Sequence, residues 1–177
     1  MTIHYEGTPA DAEYILGIRV LMQSLQPLQH PFVILASNSV SAASIRLFES
    51  EGATVIHVED VSNPFGHVLA RFQHTFNKLY LWNMTDYDRV IYLDADNIAV
   101  RQDMLDDLFR CGHFCIVYMN PCHFHTGVMV VKPDRAKYQQ MLKELAATGS
   151  YDGADQGFLV QKKGGGGGGR EGREGRE

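Results

Sequence analysis

A chain of 177 residues, 45% hydrophobic and 21% charged, has the length and composition of one globular domain with a buried core. Its net charge of −5, with acidic and basic residues interspersed, leaves no basic patch for nucleic acid or an anionic membrane surface, so neither is an expected partner. No run is apolar enough to cross a bilayer, and Met1-Thr2-Ile3-His4-Tyr5-Glu6 lacks the basic start and apolar centre of a signal peptide; the expected setting is the cytoplasm.

In chain order, Ile3 to Tyr5 reads as a short strand and Gly7-Thr8-Pro9-Ala10-Asp11 as a break. Tyr14, Ile15, Ile18, Leu21, Met22 and Leu25 then recur at helical spacing. Pro31 to Ala36 is expected to be a buried strand, Ser41 to Glu51 a helix closed by Gly52, and Thr54 to Val58 the next strand. A loop around Asn63-Pro64-Phe65-Gly66 leads to a helical stretch from about Arg71 to Asn83, which holds Lys78, Leu81 and Trp82. The apolar run Val90 to Leu93 follows, then a short acidic helix near Met104 to Arg110 and strands at His113 to Tyr118 and Gly127 to Val131. Pro133-Asp134 opens a further helix that Asp134 is placed to cap and Gly149 to end.

This alternation of strand and helix predicts an α/β fold with a mixed, mostly parallel central sheet over residues 1–163. Residues 164–177, glycines followed by Arg-Glu pairs, have nothing apolar to bury and are expected to form a disordered tail. Cys111, Cys115 and Cys122 lie among His113, His123 and His125, but the spacing lacks the paired knuckles of structural zinc. His113, Cys115, Val117 and Met119 alternate as a strand would, so buried free thiols in a reducing compartment are expected.

The chemistry concentrates in Val90-Ile91-Tyr92-Leu93-Asp94-Ala95-Asp96-Asn97. If strand geometry persists past Leu93, Asp94 and Asp96 project to one side and offer two hard oxygen ligands to Mn or Mg, which in turn holds a diphosphate. A calcium loop also begins Asp-x-Asp, but it needs glycine and glutamate where this chain has Ala99 and Leu105. A haloacid-dehalogenase phosphatase, with the first aspartate as nucleophile, is an alternative. So is a plain turn in which Asp94, Asp96 and Asn97 satisfy backbone donors.

Two further segments, Phe124-His125-Thr126-Gly127 running into an apolar strand and Tyr151-Asp152-Gly153-Ala154-Asp155-Gln156-Gly157 at a helix start, follow the acidic pair in order. With Asp11 to Leu25 and Asn77-Lys78-Leu79, they make the chain resemble glycosyltransferase family 8, the group of glycogenin and galactinol synthase. The resemblance implies a GT-A, Rossmann-like nucleotide-binding fold and a metal-dependent transferase that moves a hexosyl group from a UDP-sugar to an unknown acceptor, with retention of configuration. It implies Asp94 and Asp96 as metal ligands, with Asp96 also near the ribose. Lys78, Tyr14, His125, Thr126 and Gly127 are implied to lie at the donor, and Asp152, Asp155 and Gln156 beside the anomeric carbon. From the residues alone, Lys78 would instead be a solvated helix lysine, Tyr14 plain core and Asp152 a helix cap.

Two positions depart from the family's pattern. His125 stands where the family has asparagine. No histidine follows His125, so the family's C-terminal metal-binding histidine and diphosphate-binding lysine have no counterpart here. A C-terminally truncated, non-catalytic member that binds nucleotide or a protein partner is therefore the second expectation. Members of that family are often dimers, so a homodimer is one partner the resemblance allows, and the sequence leaves the oligomeric state open.

Overall fold

The computed structural model describes residues 1–26, 28–64, 74–119, 123–148, 150 and 153–164. Asp152, Cys122, Gly149, the start of the helical stretch at 71–73 and residues 165–177 of the expected tail lie outside that set.

Three parallel strands, β1 (Thr2–His4), β2 (Val33–Ala36) and β3 (Thr54–His57), form one sheet in the order β1-β2-β3. Between them run α1 (Asp11–Leu25) and α2 (Ala42–Ser50), each the crossover that a parallel pair requires. Every residue of β2 is buried, because a central parallel strand is covered on both faces. The second sheet has the order β4-β6-β5, from β4 (Val90–Leu93), β5 (Phe114–Met119) and β6 (His123–Val131), all antiparallel.

The two sheets meet at Met1. Its nitrogen donates to Ile91 O at 2.9 Å and its carbonyl accepts from Leu93 N at 3.0 Å, the bonding pattern of a parallel pair. The strands therefore follow one another as β3-β2-β1-β4-β6-β5, and β6 alone among these runs against the others. The expected mixed, mostly parallel sheet is present.

Some expectations are corrected. β6 begins at His123, so His125 and Thr126 lie within a strand and not in a turn before it. Pairing with β5 extends the strand: His125 sits opposite Val117 and Phe124 opposite Tyr118, just past a bulge at Ile116/Val117. The stretch before β4 is a 3₁₀ helix, Thr75–Asn83, whose residues Phe76, Asn77, Lys78, Leu79, Leu81 and Trp82 are all buried. The acidic helix, Gln102–Arg110, is also 3₁₀.

Cys111 and Cys115 are not free thiols. They form a disulfide with a Cα–Cα separation of 6.4 Å, which closes the loop before β5. Arg89 Nη1 donates to the carbonyls of Cys111 and Gly112 in that loop.

One core cluster joins β2, the Thr75–Asn83 helix, β4, β6, α3 (Arg135–Thr148) and α4 (Asp155–Gly164) through Leu35, Phe76, Leu79, Tyr92, Met129, Met141 and Phe158. Another lies under α1 and α2, around Ile18, Met22, Ile34 and Phe48. Asp134 caps α3 as expected, its Oδ1 accepting from Lys137 N at 3.0 Å.

Candidate active site

From β1 the chain continues to β2 on one side of the sheet, whereas from β4 the neighbour is β6 on the other. In an open α/β sheet such a switch leaves a crevice beyond the carboxyl ends of the two central strands, and ligands bind there. A cavity of about 600 Å³ opens at that place. His4 and Tyr5 line it from the end of β1, Asp94 and Asp96 from the end of β4, and His125 and Thr126 from β6. Lys78, Tyr14, Asp155 and Gln156 complete the wall. The fold thus gathers residues up to 152 positions apart in the chain, and of the candidates Asp152 is outside the described residues. A second cavity of about 590 Å³, lined by Met22, Leu25, Phe32, Leu105 and Phe109, lies by the starts of β2 and β4 and holds none of the candidates.

The strand geometry does not persist through the acidic pair. β4 ends at Leu93, and Asn97 N donates to Asp94 O at 3.0 Å, closing a turn. The turn, not strand alternation, brings both aspartates to one cavity. Asp94 N donates to Gly127 O at 2.8 Å, and Asn97 Nδ2 reaches Asp94 O at 3.1 Å and Gly127 O at 3.2 Å, tying the turn to β6. Structural work in the turn thus falls to the Asn97 amide, and both aspartates remain in the cavity wall. α1 rests directly on the turn: a Cβ on Gly17 would lie 2.6 Å from Ala95 O, so only glycine permits this approach.

Lys78 is no solvated helix lysine; it is 8% exposed. Its Nζ lies 3.1 Å from Asp155 Oδ2 and 3.2 Å from Asp94 Oδ1, near Thr126 Oγ1 at 3.4 Å, with the Tyr92 ring 5.1 Å away. Burial pulls the ammonium down, but the carboxylates of Asp155 and Asp94 outweigh it and hold Lys78 above its ordinary value. Thr126 Oγ1 donates to Asp155 Oδ2 at 2.6 Å, so this oxygen of a buried carboxylate is shared by a hydroxyl and an ammonium. Tyr92 OH donates to Asp94 Oδ1. Burial, followed by Asp94, pushes the Tyr92 phenol well above its ordinary value and keeps it a donor.

Gly127 makes room for these groups. A Cβ there would meet His125 Cε1 at 2.5 Å and Asp94 Oδ2 at 2.9 Å. Gly127 N donates to His125 Nδ1 at 3.0 Å, which makes Nδ1 the acceptor and leaves the proton of the neutral ring on Nε2. At the other end of the cavity, Tyr5 stacks on His74 at 4.6 Å and tilts against Tyr14 at 6.2 Å; His74 Nδ1 is 2.9 Å from Asp60 Oδ1. Tyr14 is 40% exposed, so it is cavity wall and not plain core. Burial lowers His4 below its ordinary value, more than Glu6 raises it, so this imidazole stays neutral at pH 7.

No family model matches the chain. It is 45% identical over 166 residues to PGSIP8 of Arabidopsis thaliana, provisionally named a glucuronosyltransferase, covering 90% of this chain and 33% of that protein. It is 38% identical over 149 residues to inositol phosphorylceramide glucuronosyltransferase 1 of the same plant, covering 83% of this chain and 27% of that one. The chain spans a third or less of the length of these curated relatives. Among solved structures, the galactosyltransferase LgtC in complex with donor and acceptor sugar analogues superposes with a TM-score of 0.57 at 17% identity, covering 90% of this chain and 69% of that one. The chain has the GT-A glycosyltransferase fold.

In this GT-A domain the cavity offers a divalent cation two carboxylates on one turn. Among the described residues no group of three or more His, Cys, Asp and Glu side chains converges as a ligand set. The donor set suits Mn or Mg through its hard oxygens and open positions. Sequence reasoning passed over Tyr92, Tyr5 and His74. Tyr92 was within reach, since it stands two residues before Asp94 and its hydroxyl bonds that carboxylate. Nothing local links Tyr5 to His74, which meet only in the folded chain.

Proposed function

We propose that the chain is the donor-binding part of a metal-dependent, retaining glycosyltransferase of the family 8 type. It transfers a hexosyl group, of which glucuronosyl is favoured, from a UDP-sugar to a hydroxyl of a polyol, glycan or protein. The observation that carries the reading is the convergence of the Asp94-Ala95-Asp96 turn with Lys78, Thr126, Asp155 and Gln156 in one cavity at the switch point of the sheet. The preference for glucuronosyl comes from the names of the relatives.

Asp94 and Asp96 would hold Mn or Mg, whose positive charge offsets that of the departing diphosphate. Tyr5, Tyr14 and His74 give the nucleoside an aromatic wall. Asp155, fixed by Lys78 and Thr126, supplies negative charge beside the sugar, and the half-buried Gln156 supplies an amide at the same wall. The Cys111–Cys115 disulfide supports an oxidising compartment as the setting, in place of the cytoplasm.

The test is calorimetry of UDP with the 177-residue chain, first with Mn and then with the metal chelated. Micromolar binding that requires Mn and disappears in Asp94→Ala is the expected result. Equal binding in a folded Asp94→Ala protein, or none in the folded wild type, would overturn the reading.

A further inference from the structure

Among the described residues, both donors to the Asp94 carboxylate reach the same oxygen. Tyr92 OH donates to Oδ1, and Lys78 Nζ lies 3.2 Å from Oδ1. A carboxylate oxygen has two lone-pair sites, so these two donors saturate it. Oδ2 is in the opposite position: among the described residues, none of the hydrogen bonds or ion pairs of this carboxylate goes to it. It looks out over Gly127, where any Cβ would stand 2.9 Å away.

We propose that Tyr92 and Gly127 make Asp94 a one-oxygen ligand, Tyr92 by holding Oδ1 inward and Gly127 by keeping the approach to Oδ2 clear. The inference rests on the metal-dependent reading of the site. Tyr92 is 3% exposed and held in β4 opposite Met129 of β6, so its hydroxyl cannot swing away without disturbing the sheet. It is a positioning residue: it touches neither cation nor sugar, and it fixes the torsion of the group that does. A carboxylate fixed in advance loses little freedom on binding a cation, and loss of such a supporting contact typically weakens metal binding ~10–100-fold.

The experiment titrates Mn into the chain with UDP present, following free Mn by electron paramagnetic resonance, in wild type, Tyr92→Phe and Gly127→Ala. Thermal melts without metal confirm that each protein is folded. Tyr92→Phe keeps the ring under Lys78 and removes only the hydroxyl, and Mn affinity is expected to fall about tenfold. Gly127→Ala places a methyl against Oδ2 and is expected to weaken Mn further, with metal-free melting close to wild type because the exposed His125 ring can give way. Wild-type Mn affinity in folded Tyr92→Phe overturns the role of Tyr92, and the same result in folded Gly127→Ala overturns the assignment of Oδ2. Both results leave the metal-dependent reading standing, whereas absence of Mn binding in the wild type removes that reading and this inference with it.

Discussion

At the scale of single residues, Lys78 is the hinge of the site. It sits between two carboxylates, and its removal would leave Asp155, 4% exposed, with a buried negative charge answered, among the described residues, by the Thr126 hydroxyl. Breaking a buried pair from one side costs more than the pair contributes, because the remaining charge keeps its desolvation penalty. Lys78→Met is expected to lower unfolding stability by about 3 kcal/mol in urea titration. Lys78→Met/Asp155→Leu should recover part of that loss, since the stranded carboxylate is gone; no recovery would show that the cost lies in packing. Donor binding should stay impaired in both.

At the scale of elements, the place of the turn after β4 depends on how closely α1 lies on it. Gly17 faces Ala95 O, and Ser24 further along α1 accepts from Ala99 N at 3.0 Å, so the helix is fastened at two points to the loop that carries the aspartates. Gly17→Ala would gain helix propensity but force a methyl to within 2.6 Å of a backbone oxygen, and backbone yields less readily than a side chain. A net loss of roughly 1–3 kcal/mol is expected from thermal melts, together with weaker Mn-dependent UDP binding. A Gly17→Ala protein with unaltered stability and binding would show that α1 does not set the position of the turn.

At the scale of the whole molecule, the two halves of the sheet are joined at Met1 and by the core that runs under both. The half built from β4, β5 and β6 carries the Cys111–Cys115 disulfide at its rim, with Arg89 bonded to the loop it closes. A loop this short removes little freedom from the unfolded chain, so the stabilisation is about 2 kcal/mol by the entropy of loop closure. Reduction should therefore lower the melting midpoint by roughly 5 °C. Cys111→Ser should melt at the reduced value and be indifferent to reductant. A reductant-insensitive wild type whose intact mass shows both thiols free would remove the disulfide and the case for an oxidising compartment.

The one-dimensional pattern determined the alternation of strands and helices, the apolar run ending in Asp94-Ala95-Asp96 and the cap at Asp134. These features are local: side-chain period, capping and turn chemistry act over a few residues and leave their mark in composition and spacing. Tertiary structure decided the rest. The reversed direction of β6, the burial of Lys78 and the pairing of Cys111 with Cys115 follow from which surfaces meet. Lys78 shows the reason most plainly. Its sequence neighbours look like an ordinary helix, and only Asp94 and Asp155, brought in from 16 and 77 residues away, turn an ordinary lysine into the ion that holds the site together.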